Sequence, residues 1–361
     1  MLSRTQKRPF RTSHLSLEFS HIAHSYGAKG DVRALEDVSF TAPAGEITCL
    51  LGASGCGKST LLNLTAGLLP VQDGEIALDG EALASPGASP PPEARPVGLV
   101  FQDAALFPHM TLHANIGFGL PKERHGEIEG WLARVGLGGL GDRYPHQLSG
   151  GQQQRAALAR AMAPEPQVLL MDEPFASVDI VLRRALRREC RILLRERGTT
   201  TILVTHDPDE ALDIADRIAV MEAGRIVQFG TPQELYNAPA TPAVGAIFGG
   251  SQIISASLKD GAYESVFGRW PTECVLGEGA NEGDAVELLV QARALRLELD
   301  REGIPVRDVH PLGERARVLL QHVGGAEITA EVPQAAADHI RPGARYRIHP
   351  DPDTLRVFVR D

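Results

Sequence analysis

The 361-residue sequence lacks three features that would define its class at once: long hydrophobic runs, paired cysteines and an excess of positive charge. No segment approaches the ~18 apolar residues that a membrane-spanning helix needs, so we expect no transmembrane segment. The four cysteines form no C-x-x-C pair and no metal-type spacing, which suits a reducing cytoplasm. Lys and Arg number 36 against 46 Asp and Glu. A net charge of −10 argues against a protein that wraps nucleic acid or coats an anionic membrane.

The composition that is present fits a globular protein with an ample core. Hydrophobic residues make up 43% and charged residues 23% of the chain. The length corresponds to about two domains at a prior of ~150 residues each. Basic residues near the start are followed by no apolar segment of the kind a signal peptide needs, so we expect residues 1–13 to be a disordered lead-in.

The order of strand and helix patterns divides the chain after residue 236. Up to that point, buried strand patterns alternate with helical ones, which is typical of a parallel sheet covered by helices. Residues 237–242 read as a linker rich in proline and alanine. The remainder consists of short alternating strands separated by glycine and proline. The sequence therefore predicts an α/β domain at 14–236 and a β-rich domain at 237–361.

The segment that begins at Gly52 matches the P-loop pattern G-x-x-x-x-G-K-[ST]. It follows a predicted strand (46–51) and precedes a helical pattern (60–68), which is the context that the pattern requires. Glycines let backbone N–H groups turn inward around a phosphate, and the helix N-terminus adds the positive end of its dipole. In this pattern Lys58 neutralises phosphate charge and the hydroxyl of Ser59 binds Mg²⁺.

A second predicted strand, residues 167–171, ends in two carboxylates, Asp172 and Glu173. A buried parallel strand delivers such residues to its C-terminal edge, where open α/β sheets bind ligands. Alone, this pattern is also typical of a strand that enters a polar turn. Together with a P-loop it predicts that Asp172 holds Mg²⁺ through water and that Glu173 is the general base of hydrolysis.

A third motif lies between these two, with the sequence Leu-Ser-Gly-Gly-Gln at residues 148–152. Ser149 is placed to cap a helix that runs to about Met162, and the two glycines leave its N-terminus open to a phosphate. The succession of P-loop, LSGGQ and Asp-Glu strand resembles the ATP-binding-cassette (ABC) ATPases over about residues 15–236. The resemblance implies a RecA-like α/β P-loop core with an antiparallel β subdomain and a helical subdomain at about 103–163. The C-terminal part resembles a small all-β, OB-like accessory domain.

The resemblance also implies the site residues and the cofactors, ATP and Mg²⁺. Nucleotide binding is implied for Tyr26, Gly52, Ser54, Gly55, Cys56, Gly57, Lys58, Ser59 and Thr60. Catalytic roles are implied for Glu173, His206 and Gln102, and Mg²⁺ binding for Ser59, Gln102 and Asp172. Signature residues that would face a second copy's ATP are Ser149, Gly150, Gly151 and Gln152, and Asp179 matches the D-loop aspartate. Tyr26 would stack on adenine, and a packing role is its alternative. The D-loop of the family usually has the sequence Ser-Ala-Leu-Asp, whereas this chain has Ala-Ser-Val-Asp at 176–179.

A single cassette without a membrane segment resembles the ATP-hydrolysing subunit of bacterial importers. The expected partners are a second copy of the chain in a head-to-tail nucleotide sandwich, two transmembrane permease subunits and, indirectly, a solute-binding protein. The expected location is peripheral, on the cytoplasmic face of the inner membrane. Residues 97–102 and 224–230 resemble ferric-iron importers, and polyamine, sulfate, thiamine and phosphonate are alternative cargoes. A non-transport ABC ATPase is the alternative from another class.

One helical pattern, residues 180–197, carries six arginines: Arg183, Arg184, Arg187, Arg188, Arg191 and Arg195. Their spacing on an amphipathic helix indicates a solvated face. A nucleic-acid interface is the alternative, and the acidic net charge argues against it. We therefore expect no nucleic-acid partner.

Overall fold

The computed structural model describes residues 15–27, 31–176, 178–248, 250–276, 280–352 and 354–360. The predicted lead-in, residues 1–13, lies outside these ranges. The chain divides into two compact units, Met1–Glu234 and Leu235–Asp361. Among the described residues, no helix is long and apolar enough to cross a membrane.

The first unit is a mixed α/β structure. Its strands are β1 (Leu17–Tyr26), β2 (Val32–Ala42), β3 (Ile47–Leu51), β4 (Asp73–Leu78), β5 (Glu81–Ala84), β6 (Val97–Val100), β7 (Val168–Asp172), β8 (Thr200–Thr205), β9 (Arg217–Glu222) and β10 (Arg225–Gly230). Its helices are α1 (Lys58–Ala66), α2 (Leu112–Gly117), α3 (Ile128–Arg134), α4 (Gly150–Met162), α5 (Ile180–Arg197) and α6 (Pro208–Ile214). Helix α7 (Pro232–Asn237) spans the division between the units.

A six-stranded sheet in the order β10-β9-β3-β8-β7-β6 forms the centre of this unit. The pairs β3–β8, β3–β9, β7–β8 and β6–β7 are parallel, and β10 is an antiparallel edge strand. All residues of β3 and β8 are buried, as expected for strands covered on both faces. Because the strands are parallel, the turns after β3, β7 and β8 meet at one edge of the sheet, and those turns carry the predicted motifs.

A four-stranded antiparallel sheet, β2-β1-β4-β5, packs on the same core. Asp79 and Gly80 form the β4–β5 hairpin turn with φ of 52° and 75°, the left-handed conformation that two-residue hairpin loops need. Leu17 and Phe19 of β1, Leu61 of α1 and Leu50 of β3 share one buried cluster. The cluster holds α1, which starts at the P-loop, between the two sheets.

Helices α2, α3 and α4 occur between β6 and β7, inside the range predicted for the helical subdomain. Thr111 caps α2 by accepting from the backbone N–H of Ala114, and Ser149 caps α4. The buried Trp131 of α3 is 1% exposed. Arg134 and Arg197 both lie over its ring, at 5.2 and 4.9 Å from the centroid.

The second unit is built mainly of antiparallel strands. After helix α8 (Pro242–Ile247), its strands are β11 (Ser251–Lys259), β12 (Ala262–Ser265), β13 (Gly268–Pro271), β14 (Val275–Leu276), β15 (Ala285–Gln291), β16 (Leu295–Pro311), β17 (Arg315–Gln321), β18 (Glu327–Pro333), β19 (Arg345–Pro350) and β20 (Leu355–Val359), with helix α9 (Gln334–Ala337) between β18 and β19. They form sheets in the orders β13-β12-β11-β15-β20-β14 and β18-β17-β16-β19. Trp270, buried to 1% exposure, donates its indole N–H to the carbonyl of Ile348 and anchors a single core.

Candidate functional site

The turn from β3 into α1 is shaped by glycine at positions that admit no other residue without strain. Gly57 is the N-cap of α1 with φ of 106° and no side-chain cap. A Cβ there would lie 2.5 Å from the carbonyl oxygen of Ala34. Because no side chain of this turn takes the first N–H groups of α1, those donors point into the loop, where an anion would satisfy them.

The side chain of Lys58 hydrogen-bonds to the backbone of the loop. Its Nζ donates to the carbonyl oxygens of Gly52 and Ala53, at 2.8 and 2.9 Å, and the residue is only 5% exposed. Cys56 lies in the same loop, with its Sγ 3.7 Å from that Nζ. Among the described residues, the hydrogen-bond partners of this ammonium are neutral, so a phosphate would add a charged acceptor.

The hydroxyl of Ser59, the second residue of α1, donates to Oδ1 of Asp172 at the end of β7, at 3.2 Å. Desolvation raises the pKa of the Asp172 carboxyl, and the hydrogen bond from Ser59 opposes this rise. A cation between these oxygens would remove the penalty, so the pair fits Mg²⁺. The described residues contain no group of three or more His, Cys, Asp or Glu side chains that could hold a metal. Two protein oxygens match the sites where Mg²⁺ takes its remaining ligands from water and phosphate.

Glu173 and His206 meet next to this pair. Nδ1 of His206 lies 3.0 Å from Oε1 of Glu173. A carboxylate only accepts hydrogen bonds, so this contact places the imidazole proton on Nδ1. Glu173 has φ of 43° and donates its N–H to the carbonyl of Val204 on β8. A non-glycine residue in that conformation costs about 1–3 kcal/mol, a strain found mostly at functional sites.

Gln102 lies two residues beyond the end of β6, at the same edge of the sheet. Its side chain is exposed. Within the described residues, no hydrogen bond joins it to Ser59 or Asp172. The structure therefore places Gln102 near the predicted ligands by topology and does not bring it into contact with them.

Tyr26 ends β1 beside the P-loop helix. Its hydroxyl lies 3.1 Å from Oγ1 of Thr60, and its ring is 40% exposed. The buried ring of His24 packs edge-on against it at 4.9 Å. An exposed aromatic face fixed next to the P-loop is suited to stack on a base.

The LSGGQ motif begins α4 as predicted. Ser149 is the N-cap, its Oγ accepts from the N–H of Gln152 at 3.4 Å, and the side chain of Gln152 accepts from the N–H of Ser149 at 3.0 Å. The first helical residues, Gly150 and Gly151, are exposed and half-buried. In the described part of the chain, no hydrogen bond joins this motif to the P-loop.

The D-loop segment leads into α5. The carbonyl oxygen of Asp179 accepts from the N–H of Arg183 at 2.9 Å, and the guanidinium of Arg183 donates to the carbonyl of Val178 at 3.1 Å. Ser177, within the predicted D-loop motif, lies outside the described residues.

The prediction of a solvated arginine face on α5 is wrong at Arg187, whereas Arg184, Arg188 and Arg195 are exposed. Arg187 is only 7% exposed and pairs with Asp213 at 3.0 Å and Asp207 at 3.6 Å. Its periodicity places it on the polar face, but α6 packs against that face and supplies the carboxylates. An acidic neighbour from a distant segment is invisible in the helix's own pattern.

Two further polar residues at this edge, Glu210 and Thr205, belong to none of the sequence motifs. Glu210 is 4% exposed, and its Oε2 accepts from the hydroxyl of Thr205 at 3.1 Å. Burial raises the pKa of the Glu210 carboxyl to about 7, against the opposing hydrogen bond from Thr205. Asp207-Pro208 signals a helix start, but nothing in the sequence tells that the glutamate three residues after the cap is buried.

Comparison with known proteins identifies the two units. The model of the ABC transporter family matches residues 35–176, and the model of the TOBE domain matches residues 302–358. An Fe(3+) ions import ATP-binding protein, FbpC of Pseudomonas fluorescens, is 39% identical over 92% of this chain and 95% of its own length. The chain belongs to the ABC transporter family. It is an import ATP-binding subunit with a C-terminal accessory domain, and hence an ATPase coupled to transport.

Other relatives act on different solutes. A sulfate/thiosulfate import ATP-binding protein, CysA of Ralstonia nicotianae, is 37% identical over 96% of both chains. A spermidine/putrescine import ATP-binding protein, PotA of Roseobacter denitrificans, is 43% identical over 74% of this chain and 76% of its own. Among solved structures, the ATP-binding cassette MJ1267 in its ADP conformation superimposes with a TM-score of 0.57 and 26% identity over 65% of this chain and 98% of that one. The fold and the resemblance to ABC ATPases predicted from the sequence are confirmed.

Proposed function

We propose that this ABC subunit hydrolyses ATP in a site formed by the three turns at the carboxyl edge of its parallel sheet. The observation that carries the proposal is the 3.0 Å contact of Glu173 with His206, placed next to the Ser59–Asp172 pair. Residues 14–236 form the cassette in this proposal, and residues 237–361 form the accessory domain.

The P-loop binds the phosphates of ATP. Its backbone N–H groups and Lys58 take the negative charge, and the aromatic face of Tyr26 stacks on the adenine. The nucleotide-binding set comprises Tyr26, Gly52, Ser54, Gly55, Cys56, Gly57, Lys58, Ser59 and Thr60. Ser59, Asp172 and Gln102 would hold Mg²⁺, which when bound neutralises charge on the β- and γ-phosphate oxygens.

Glu173 is the general base. Its carboxylate takes a proton from the attacking water as the water oxygen bonds to the γ-phosphorus and the bond to the leaving β-phosphate oxygen breaks. His206 holds Glu173 through Nδ1 and keeps Nε2 free to contact the γ-phosphate. The strained backbone at Glu173 fixes that carboxylate at the end of β7, which favours one position for the water.

A second copy of the chain completes the site. The open N-terminus of α4, with Ser149, Gly150, Gly151 and Gln152, faces the γ-phosphate held by the other copy, and Asp179 lies at the contact between copies. ATP thus joins two chains head to tail, and removal of the γ-phosphate releases them. The chain binds two transmembrane permease subunits at the cytoplasmic face of the inner membrane, and this cycle drives their conformational change. A solute-binding protein delivers the cargo to the permease subunits.

The cargo in this proposal is ferric iron. The relative that imports Fe(3+) ions supports this cargo, because the match covers 95% of that relative's length. The sulfate and polyamine relatives make those solutes the competing outcomes of the test. The test is uptake by cells deleted for this chain and complemented with the wild type or with Glu173→Gln. Restored uptake of labelled ferric iron, and not of sulfate or spermidine, supports the cargo, whereas restoration of another solute alone replaces it.

Hydrolysis itself is tested on the purified chain. Wild type is expected to release phosphate from ATP in the presence of Mg²⁺, and Glu173→Gln to lower kcat by about 10²–10⁴-fold with little change in ATP affinity. Glu129→Gln, an exposed glutamate on α3, is the matched control. Normal turnover by Glu173→Gln would remove the proposed base.

A further inference from the structure

The turn between β8 and α6 carries His206 and is held by buried polar groups that no step of the proposed hydrolysis uses. The hydroxyl of Thr205 donates to Oε2 of Glu210 at 3.1 Å and accepts from the N–H of Asp207 at 3.0 Å. One hydroxyl therefore ties together the residues on both sides of His206.

Arg187 reaches the same turn from α5. Its guanidinium pairs with Asp207 at 3.6 Å and with Asp213 at 3.0 Å, and its side chain is 8% exposed. Asp207 in turn caps α6 by accepting from the N–H groups of Asp209 and Glu210, at 3.0 and 3.4 Å. The His206 ring, by contrast, is 56% exposed and is held within the described chain by its contact with Glu173.

This network buries the Arg187 guanidinium and the Glu210 carboxyl, and such groups are costly to bury unless they are paired and hydrogen-bonded. Among the described residues, the titratable and charged groups around Glu210 include Arg183, Arg187 and the thiol of Cys190 on α5, Asp207 at the start of α6, and Cys49 on β3. Glu173 and His206 line the same cavity as Glu210. Glu210 also keeps one buried carboxyl oxygen, Oε1, without a hydrogen-bond partner. A fold-stabilising role alone would be served as well by apolar side chains.

We propose that Glu210 and Arg187 are positioning residues for ATP hydrolysis: through Thr205 and Asp207 they hold the turn that presents His206 to Glu173. The proposal rests on the proposed role of the Glu173–His206 pair. Neither residue touches the nucleotide. Arg183 of the same helix donates to the carbonyl of Val178 in the D-loop segment, so α5 braces both the D-loop and the His206 turn.

The geometry predicts a distinctive kinetic pattern. Thr205→Val removes the hydroxyl at nearly constant volume, and Glu210→Ala removes its acceptor. Each is expected to lower kcat about tenfold, equal to about 1.4 kcal/mol of barrier, with KM for ATP unchanged within about twofold. Thr205→Ser keeps the hydroxyl and Glu210→Gln keeps an acceptor oxygen, so each is expected to restore most of kcat. The double variant is expected to be no slower than the slower single variant, because each single change already removes the hydrogen bond between Thr205 and Glu210.

The experiment measures kcat and KM for the full-length chain in these variants, and in Arg187→Met with Arg188→Met as its control. Arg188 is the next residue on α5 and is exposed. Circular dichroism and ATP binding establish that each variant is folded. The proposal is overturned if Thr205→Val and Glu210→Ala keep wild-type kcat, if their effects multiply, or if KM changes as much as kcat.

His206→Ala separates this proposal from the function on which it rests. If His206→Ala abolishes turnover while Thr205→Val and Glu210→Ala leave it intact, only the positioning role fails. If His206→Ala also leaves turnover intact, the proposed role of His206 fails and the positioning role fails with it.

Discussion

Two turns lie at the same edge of the sheet, the P-loop after β3 and the His206 turn after β8. Their conformations are stabilised in different ways. The P-loop is held by backbone: Gly57 has φ of 106°, α1 has no side-chain cap, and Lys58 bonds to loop carbonyls. The His206 turn is held by side chains: Asp207 caps α6, and Thr205, Arg187 and Glu210 bury their polar atoms behind it. A turn that must wrap an anion leaves its amides free, whereas one that must aim a single side chain is braced from behind.

The largest effect that tests this comparison is expected at Gly57. Gly57→Ala places a Cβ 2.5 Å from the carbonyl oxygen of Ala34, in a conformation that costs a non-glycine residue about 1–3 kcal/mol. The loop must shift to accept it, so ATP affinity is expected to fall by about tenfold or more, measured by titration calorimetry. Gly130→Ala on α3, where a Cβ meets open space, is the control and should bind ATP as the wild type does. Equal binding by both variants would show that the loop does not depend on its backbone conformation.

The difference between the turns also explains what the sequence could predict. A backbone-built turn needs glycine at fixed spacing, so the pattern from Gly52 to Ser59 predicts a P-loop. Asp172 is predicted on different grounds, because it ends a buried strand, and the helix cap in LSGGQ because Ser149 precedes the helical pattern. The side-chain network joins Arg187 to residues about twenty positions later, and no local pattern links them. The arginine periodicity of α5 predicted a solvated face, and Arg187 is buried because α6 packs there.

The C-terminal unit shows the same limit on a larger scale. Alternation predicted short strands in this unit, and β17 and β18 show it, with buried residues at every second position. The alternating pattern does not predict which strands pair, and here β11 pairs with β15 and β15 pairs with β20. Local pattern fixes which residues face a core but not which strands become neighbours.

The second effect concerns the charge on Glu210. Its pKa rises from an ordinary value of 4.5 to about 7 on folding, chiefly through burial. The folded protein therefore holds this proton more tightly than the unfolded chain. The resulting stability is complete below about pH 4.5 and is lost as pH rises through 7, by an amount on the order of 3 kcal/mol.

The glutamine in the Glu210→Gln variant cannot ionise, so this variant does not lose folding stability in that way as pH rises. Thermal unfolding of both proteins between pH 5 and pH 8 is expected to show Tm of the variant rising relative to that of the wild type as pH increases. Parallel Tm profiles would mean that Glu210 is not buried as a titrating group.

The smallest effect is expected at the helix cap. Asp207→Ala leaves the N–H groups of Asp209 and Glu210 without their acceptor and should cost about 1–2 kcal/mol, or a fall in Tm of about 2–8 °C. Asp209→Ala, an exposed residue in the first turn, loses only its interaction with the helix dipole and should cost less than 1 kcal/mol. If the two variants melt alike, the His206 turn does not depend on its side-chain cap.

We propose that two copies of this chain close on ATP and that hydrolysis with Glu173 as the base opens them again. The most direct measurement is the molar mass of Glu173→Gln by light scattering, with and without ATP and Mg²⁺. ATP is expected to convert the variant to a stable dimer, and the same variant with Ser149→Arg added, which blocks the α4 N-terminus, is expected to stay monomeric. A Glu173→Gln protein whose mass is unchanged by ATP would contradict it.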